Sequence, residues 1–261
     1  MLLRVSNPSK SATFDRLHPI RTHDVLVARS RETEIQALRF NGFDLPFRLM
    51  YKGAFGIDDH LAVLGAVRAV GVGHLVTASD SGGPESTTLP FVVDDSMSIL
   101  RAHFARANPH WRQVDGLSAL MIVPGPDAYI SPNWYLSKVE HQRVVPTSNY
   151  ELVHIRGVVT IHDDPEWKLR LVRDLTDHHE RLVDDPDSPR AWSVDDAPRD
   201  FIDKQLAAIV GVEIAITSAE LKLKMSQNKP DPDRQGAASG LRRSTHSVDL
   251  SVAELMDPDE G

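Results

Sequence analysis

The sequence predicts a mainly β (α+β) fold, an antiparallel barrel with peripheral helices. Three observations lead there. Alternation with a period of two recurs in about six segments, the pattern of strands with one face inward. Short turn signals rich in Gly, Pro, Asp and Ser separate the early segments, as in hairpins. The helical segments are few, short and capped, so they decorate a sheet and do not form a bundle.

In chain order, residues 1–49 are polar and rich in Arg, with no sustained period of 2 or 3.6. They are expected to be a disordered extension, with an apolar cluster at Leu38, Phe40, Phe43, Leu45 and Phe47. Asp58 or Asp59 then caps a helix with Leu61, Leu64, Val67 and Val70 at helical spacing, stopped by Gly71 and Gly73. His74–Ala78 and Ser86–Val93 read as a hairpin joined through Ser79–Pro84, and Asp94-Asp95 turns the chain again. Ile99–Ala105 alternates, with Leu100, Ala102 and Phe104 inward and Arg101 and His103 outward. Asn108-Pro109 is a helix start, since Asn caps well and Pro suits the first helical position.

Leu117–Val123 is an apolar strand, expected to break at Pro124-Gly125-Pro126. Tyr129–Tyr150 reads as a shaped loop, its two prolines holding the preceding residues out of helical geometry. Glu151–His162 is a strand, and Asp164-Pro165 caps a helix with Leu171, Leu175, His178 and Leu182 on one side. After a polar linker at Asp184–Asp196, Pro198 opens a helix carrying Ile202, Leu206 and Ile209. Gly211–Met225 alternates once more, and Asp231-Pro232 starts a last helix ending near Gly240. The expected organisation is an extension over 1–49, a domain over 50–240 and a flexible tail over 241–261.

Composition closes several routes. The 261 residues contain no cysteine, which excludes disulfides, thiolate nucleophiles and Cys-ligated metals. No apolar run is long enough to span a bilayer and the N-terminus lacks an apolar signal core, so a cytoplasmic location is expected. A net charge of −8 is a poor footprint for gripping a phosphate backbone. No nucleophile elbow, phosphate-binding Gly-rich loop or dinucleotide fingerprint is present. The densest His cluster, Asp177-His178-His179-Glu180, places neighbours about 100° apart on a helix, so no metal site is expected.

The stretch Tyr129–Tyr150, YISPNWYLSKVEHQRVVPTSNY, concentrates aromatic faces beside hydroxyls, amides and cations. That mixture suits a flat, polar-edged anionic ligand, or equally a loop whose aromatics plug a barrel end. The stretch resembles the central signature of the PaiB-like family of FMN-binding negative transcriptional regulators. Collinear matches extend the resemblance: LPF at Leu89–Phe91, LRAHFARANPHWR at Leu100–Arg112, VHIRG at Val153–Gly157, WSVDDAP at Trp192–Pro198 and KMSQNKP at Lys224–Pro230. It runs from about Met50 to Gly240. It departs at Ser148, where family members usually carry Trp. The resemblance implies an FMN-binding split barrel related to pyridoxamine phosphate oxidase, a homodimer with FMN across its interface.

Candidate cofactor residues follow in three groups. Arg101 and Arg106 beside the Asn108 helix start suit one terminal phosphate, with His103 and His110 on the same face as edge donors and Trp111 a further candidate from the matching motif; ordinary capping and solvated arginines are the plain alternative. Ser131, Trp134, Lys138, Pro146, Thr147 and Asn149 come from the signature. Lys224, Ser226, Gln227 and Asn228 offer donors and acceptors suited to an isoalloxazine edge or ribityl hydroxyls, or else form a solvated strand end. The leading functional expectation is a PaiB-type regulator acting through a partner or its flavin state. DNA contact rests on the family label alone. The alternatives are an FMN-dependent oxidoreductase and a haem-handling split barrel with a His axial ligand. No acid, base or nucleophile selects a substrate.

Overall fold

The structure is a computed structural model, and it describes residues 39–40, 43–44, 50, 53–78, 83–183 and 190–257. The chain divides into two compact units, Met1–Leu49 and Met50–Gly261. In the first, β1 (Arg39–Phe40) pairs antiparallel with β2 (Phe43–Asp44). The rest of the expected disordered extension lies outside the described residues, as do 79–82 of the first hairpin, 184–189 of the polar linker and the last four residues.

The second unit begins with β3 (Gly56–Ile57) and α1 (His60–Val70). Asp59 caps α1 by accepting from the Ala62 N–H at 2.7 Å, and Gly71 ends it at φ 64°, a left-handed position where a side chain would be strained. There follow β4 (Val72–Ala78), β5 (Pro84–Val93) and β6 (Ile99–Ala105). At the turn before β6, the Asp94 carboxylate accepts from the Ser98 and Ile99 N–H groups, both at 2.8 Å. Next come β7 (Ser118–Ile130), α2 (Leu136–His141), β8 (Thr147–His162) and α3 (Pro165–Glu180). The chain ends with α4 (Arg199–Ala207), β9 (Ile209–Lys224), α5 (Asp231–Leu241) and α6 (Ser247–Met256).

Strand order is β3-β9-β6-β5-β4-β7-β8, every pairing is antiparallel, and β8 also pairs with β9. That last pairing closes the sheet into the predicted split barrel and leaves little free edge. Its interior holds Leu75, Phe91, Leu100, Phe104, Met121, Ile155 and Ile214, all fully buried. Leu100, Ala102 and Phe104 point inward as their alternation predicts. A second core joins Ile130, Tyr135 and Met225 to Leu241, Val252 and Met256. A small third one lies between α3 and α4, around Leu169, Ile202 and Leu206.

Four sequence expectations are corrected. The strand after Leu117 does not stop at Val123; β7 runs through Pro124-Gly125-Pro126 to Ile130. Between Pro124 and Asp127 the opposing strand moves only from Leu152 to Tyr150, so one extra residue is absorbed as a bulge, which tolerates proline. The stretch Tyr129–Tyr150 is only partly loop: it supplies the end of β7, a 3-10 turn at Pro132–Trp134, α2 and the start of β8. The residues after Gly240 are not a loose tail, because α6 buries Val252, Ala253 and Met256 against the second core. Finally, Leu182 lies past α3 and is exposed, so the buried side of that helix is carried by Leu169, Leu171 and Leu175.

One clamp ties β9 to the start of α3. The Lys168 ammonium is buried and reaches the Asp163 carboxylate at 2.8 Å, while the Arg106 guanidinium pairs with the same carboxylate. The hydrogen bonds from Arg106, and then those from Lys168, hold the Asp163 pKa at about 2 against an ordinary 3.8. A depressed pKa adds stability that is complete above about pH 4 and is lost as pH falls toward 2. Asp163 is 54% exposed, so solvent screening keeps this contribution small. Melting curves between pH 2 and 5 (a window set by that shift) should therefore show a shallower acid loss in Asp163→Asn than in the natural chain.

Candidate flavin half-sites

The candidate residues fall into two groups far apart in one chain. The first surrounds the end of β6. Arg101 turns toward α3 and pairs with Asp174 at 2.9 Å, lining a charged cavity of about 610 Å³ with Arg68, Asp177 and His178. His103, two residues on, lines a separate cavity against α3 and α4. Arg106 is engaged internally: besides Asp163, it donates to the carbonyls of Ala207 at 2.7 Å and Ile209 at 3.0 Å. The predicted helix after Asn108 is a five-residue 3-10 turn, too short for a helix dipole to build up. Asn108 caps it by accepting from the His110 N–H at 3.0 Å and donates to Thr87 Oγ1 at 3.1 Å.

His110 is fully buried and joins two strands, one ring nitrogen 2.8 Å from Thr77 Oγ1 and the other 2.8 Å from Thr87 Oγ1. Burial pushes its pKa down, so the neutral imidazole bridges the two hydroxyls. Trp111 donates to the Arg106 carbonyl at 3.0 Å and carries the exposed Arg112 guanidinium 4.9 Å over its ring. Arg112 was legible only as the last residue of a matching motif. It is the exposed cation of this shoulder, whereas Arg101 and Arg106 hold carboxylates.

The second group gathers at the joined ends of β7, β8 and β9. Lys224 donates to Thr147 Oγ1 at 2.6 Å and to the Ser148 carbonyl at 2.7 Å, and lies 5.6 Å from the Tyr150 ring centre. Asn149 is buried and accepts from Ser226 Oγ at 3.0 Å. Ser226 takes φ 60°, which turns the chain out of β9 so that Gln227 can bond the Leu223 carbonyl and the Met225 N–H. Asn228 is exposed beside them, as is Pro146 across the strand end. Ser131 caps the 3-10 turn through the Asn133 N–H, and Lys138 bonds the Asn133 side chain.

Trp134 packs on α5. A Cβ on Gly240 would meet its ring at 2.3 Å, and one on Gly236 its carbonyl at 2.1 Å. Two glycines four residues apart on one helix face are the sequence signal for this close approach. Asp233, also on α5, accepts from the Ser137 N–H at 2.9 Å and its hydroxyl at 2.5 Å, fixing α2 in place. Burial opposes its ionisation, but the Ser137 hydrogen bonds outweigh that and hold its pKa below the usual carboxylate range.

Both groups touch β9, which measures their separation. Arg101 lies opposite Glu213 and Tyr150 opposite Lys224. That interval is roughly 36 Å of strand at about 3.3 Å per residue, well beyond the length of one mononucleotide.

Residues 50–218 match the family model described as "Putative FMN-binding domain". The Bacillus subtilis protein called protease synthase and sporulation protein PAI 2 is 30% identical over 185 residues, covering 70% of this chain and 84% of its own. The chain belongs to this PaiB-like FMN-binding family. An uncharacterized protein of Aspergillus fumigatus is 28% identical over 79% of this chain and 96% of its own. Among solved structures, the flavocytochrome Anf3 from Azotobacter vinelandii has a TM-score of 0.48 at 14% identity, covering 71% of this chain and 77% of that one.

FMN is thus the family's cofactor, and the residues present fit it chemically. The Tyr135 hydroxyl is enclosed near Ser226, with the Lys229 ammonium 5.3 Å from its ring. Burial pushes that phenol's pKa up, so it remains a neutral donor. Around it stand lysines, hydroxyls and amides, a donor set suited to a flavin's polar edge. Among the described residues the two groups lie toward opposite ends of β9.

Proposed function

We propose that two copies of this PaiB-like chain bind FMN between them and act as a regulatory flavoprotein, a negative regulator working through a partner or through flavin state. The separation of the two half-sites carries this reading, since only a second copy can set one against the other. The outward row His74–Ile122–His154 across β4, β7 and β8, with half-buried Leu120 and Leu152 next to it, suits such a contact. In the proposed site Arg112 and Trp111 of one copy meet the phosphate end. Lys224, Thr147 and Gln227 of the other meet the ring and ribityl hydroxyls. Bound FMN supplies one- or two-electron redox chemistry; these residues bind and orient it. Arg101, His103 and Arg106 serve the helical side of the barrel instead.

The regulatory part rests on the resemblance to the PaiB-like regulators alone, and the net charge of −8 argues against direct DNA contact. The C-terminal helix α6 contains no Lys or Arg and carries Asp249 and Glu254, so it is no groove reader. On this account the purified protein binds DNA no tighter than a Kd of about 10⁻⁶ M at physiological salt. A nanomolar, sequence-specific gel shift with purified protein would overturn it. The visible spectrum and mass of the purified protein test the cofactor and assembly together. A flavin spectrum on a dimer is expected; a Soret band or a colourless monomer would defeat the proposal.

Ser148 gives a further test. It is exposed, faces Tyr129 across the β7–β8 pair, and its carbonyl holds Lys224. An aromatic stacking pair is worth about 0.5–1.5 kcal/mol beyond its buried area. Ser148→Trp should therefore tighten FMN binding several-fold to about tenfold. Unchanged or weaker binding by fluorescence titration would remove residue 148 from the ring.

A further inference from the structure

The charged cavity of about 610 Å³ beside Arg101 is used by neither proposed flavin half-site. Its walls come from the end of α1, the turn between β5 and β6, and one face of α3. The volume falls within the range of small-molecule sites, roughly 300–1,000 Å³. Three arginines and four aspartates line it, so its walls nearly balance in charge. Most of these charges are engaged in holding the walls together. Arg68 pairs with Asp95 and joins α1 to the turn, while Arg101 pairs with Asp174 at 2.9 Å and joins β6 to α3. Asp94 accepts from the Ser98 and Ile99 N–H groups within the turn. His178 reaches from α3 to the Arg68 carbonyl at 3.2 Å.

Asp177 and Arg181 are what remains. They stand four residues apart on α3 and its C-cap, a spacing at which Asp and Arg pair on a helix. Both line the cavity, and their side chains pair neither with each other nor with any other group among the described residues. We propose that this cavity binds a free α-amino acid, its ammonium on Asp177 and its carboxylate on Arg181. One uncommitted charge of each sign calls for a ligand that carries both. A phosphate would face the four aspartates and a diamine the three arginines, so like-charge repulsion disfavours either. Half-buried Val92, opposite Arg101 in the sheet, adds apolar contact for an aliphatic side chain. The competing reading is a hydrated cleft whose two uncommitted charges meet only water. The proposal stands independently of the flavin reading.

L-Leucine, L-leucinamide and N-acetyl-L-leucine separate the two readings, since they share a side chain and differ in their charged ends. Calorimetric titration of the full chain should give saturable 1:1 binding of leucine. Each blocked relative should bind roughly tenfold more weakly, the loss of one hydrogen bond to a charged group. Arg181→Gln should lower leucine to the level of leucinamide, and Asp177→Asn to the level of N-acetylleucine. Both positions are exposed, so the variants should fold as the natural chain does. Absence of saturable leucine binding, equal affinity for either blocked relative, or leucine binding unchanged in either variant would each overturn the proposal.

Discussion

Arg156→Met is expected to cost about 3–5 kcal/mol of stability, the largest effect of any single change considered. Arg156 on β8 bonds Glu220 on β9 at 2.7 Å, with side chains only 12% and 7% exposed. The Met50 N–H donates to the same carboxylate at 3.1 Å. Removing the guanidinium leaves a carboxylate in a site that water barely reaches, on the strand pair that closes the barrel. Pairing Arg156→Met with Glu220→Leu should recover most of the loss, because an apolar pair of similar volume needs no counter-ion. Urea melts of the two singles and the double measure this as a coupling energy. Additive losses would mean that the ion pair is not what holds β8 to β9.

Gly240→Val should cost about 1–3 kcal/mol or more, at a different place. The added methyls would enter the Trp134 ring, already within 2.3 Å of an ideal Cβ. Either α5 lifts away or Trp134 moves, and both loosen the signature stretch. Since α5 and α6 share the second core with Ile130, Tyr135 and Met225, that end should open while the barrel core stays closed. Hydrogen exchange should show faster exchange in α5 and α6 and unchanged protection in β4–β6. Uniform acceleration would contradict the separation of the two cores.

These two sites also show what the residues announced and what they hid. β6 was legible because Leu100, Ala102 and Phe104 alternate without interruption, and α1 because Asp59 and Gly71 bracket it. β7 was not, because Pro124-Gly125-Pro126 reads as a break unless the opposite strand is known to leave room for a bulge. α6 has only Val252, Ala253 and Met256 to bury, too narrow a stripe to predict without α5 beside it. Of the cofactor candidates, Lys224 and Thr147 were reached through family motifs and are bonded to each other. The carboxylates that pair with Arg101 and Arg106, Asp174 and Asp163, are distant in sequence, so those ion pairs were not legible in it.

The central claim is that each flavin needs residues from two copies, and mixing two defective variants tests it. Arg112→Glu disables one proposed half-site and Lys224→Glu the other, so neither variant should retain FMN alone. Dimers reassembled from an equal mixture should regain part of the flavin, because some pairs then contain one site built from two intact halves. Flavin absorbance across a sizing column reads this directly. Recovery in the dimer peak is the predicted result. No recovery from two folded variants, or FMN held by a monomer of the natural chain, would contradict it.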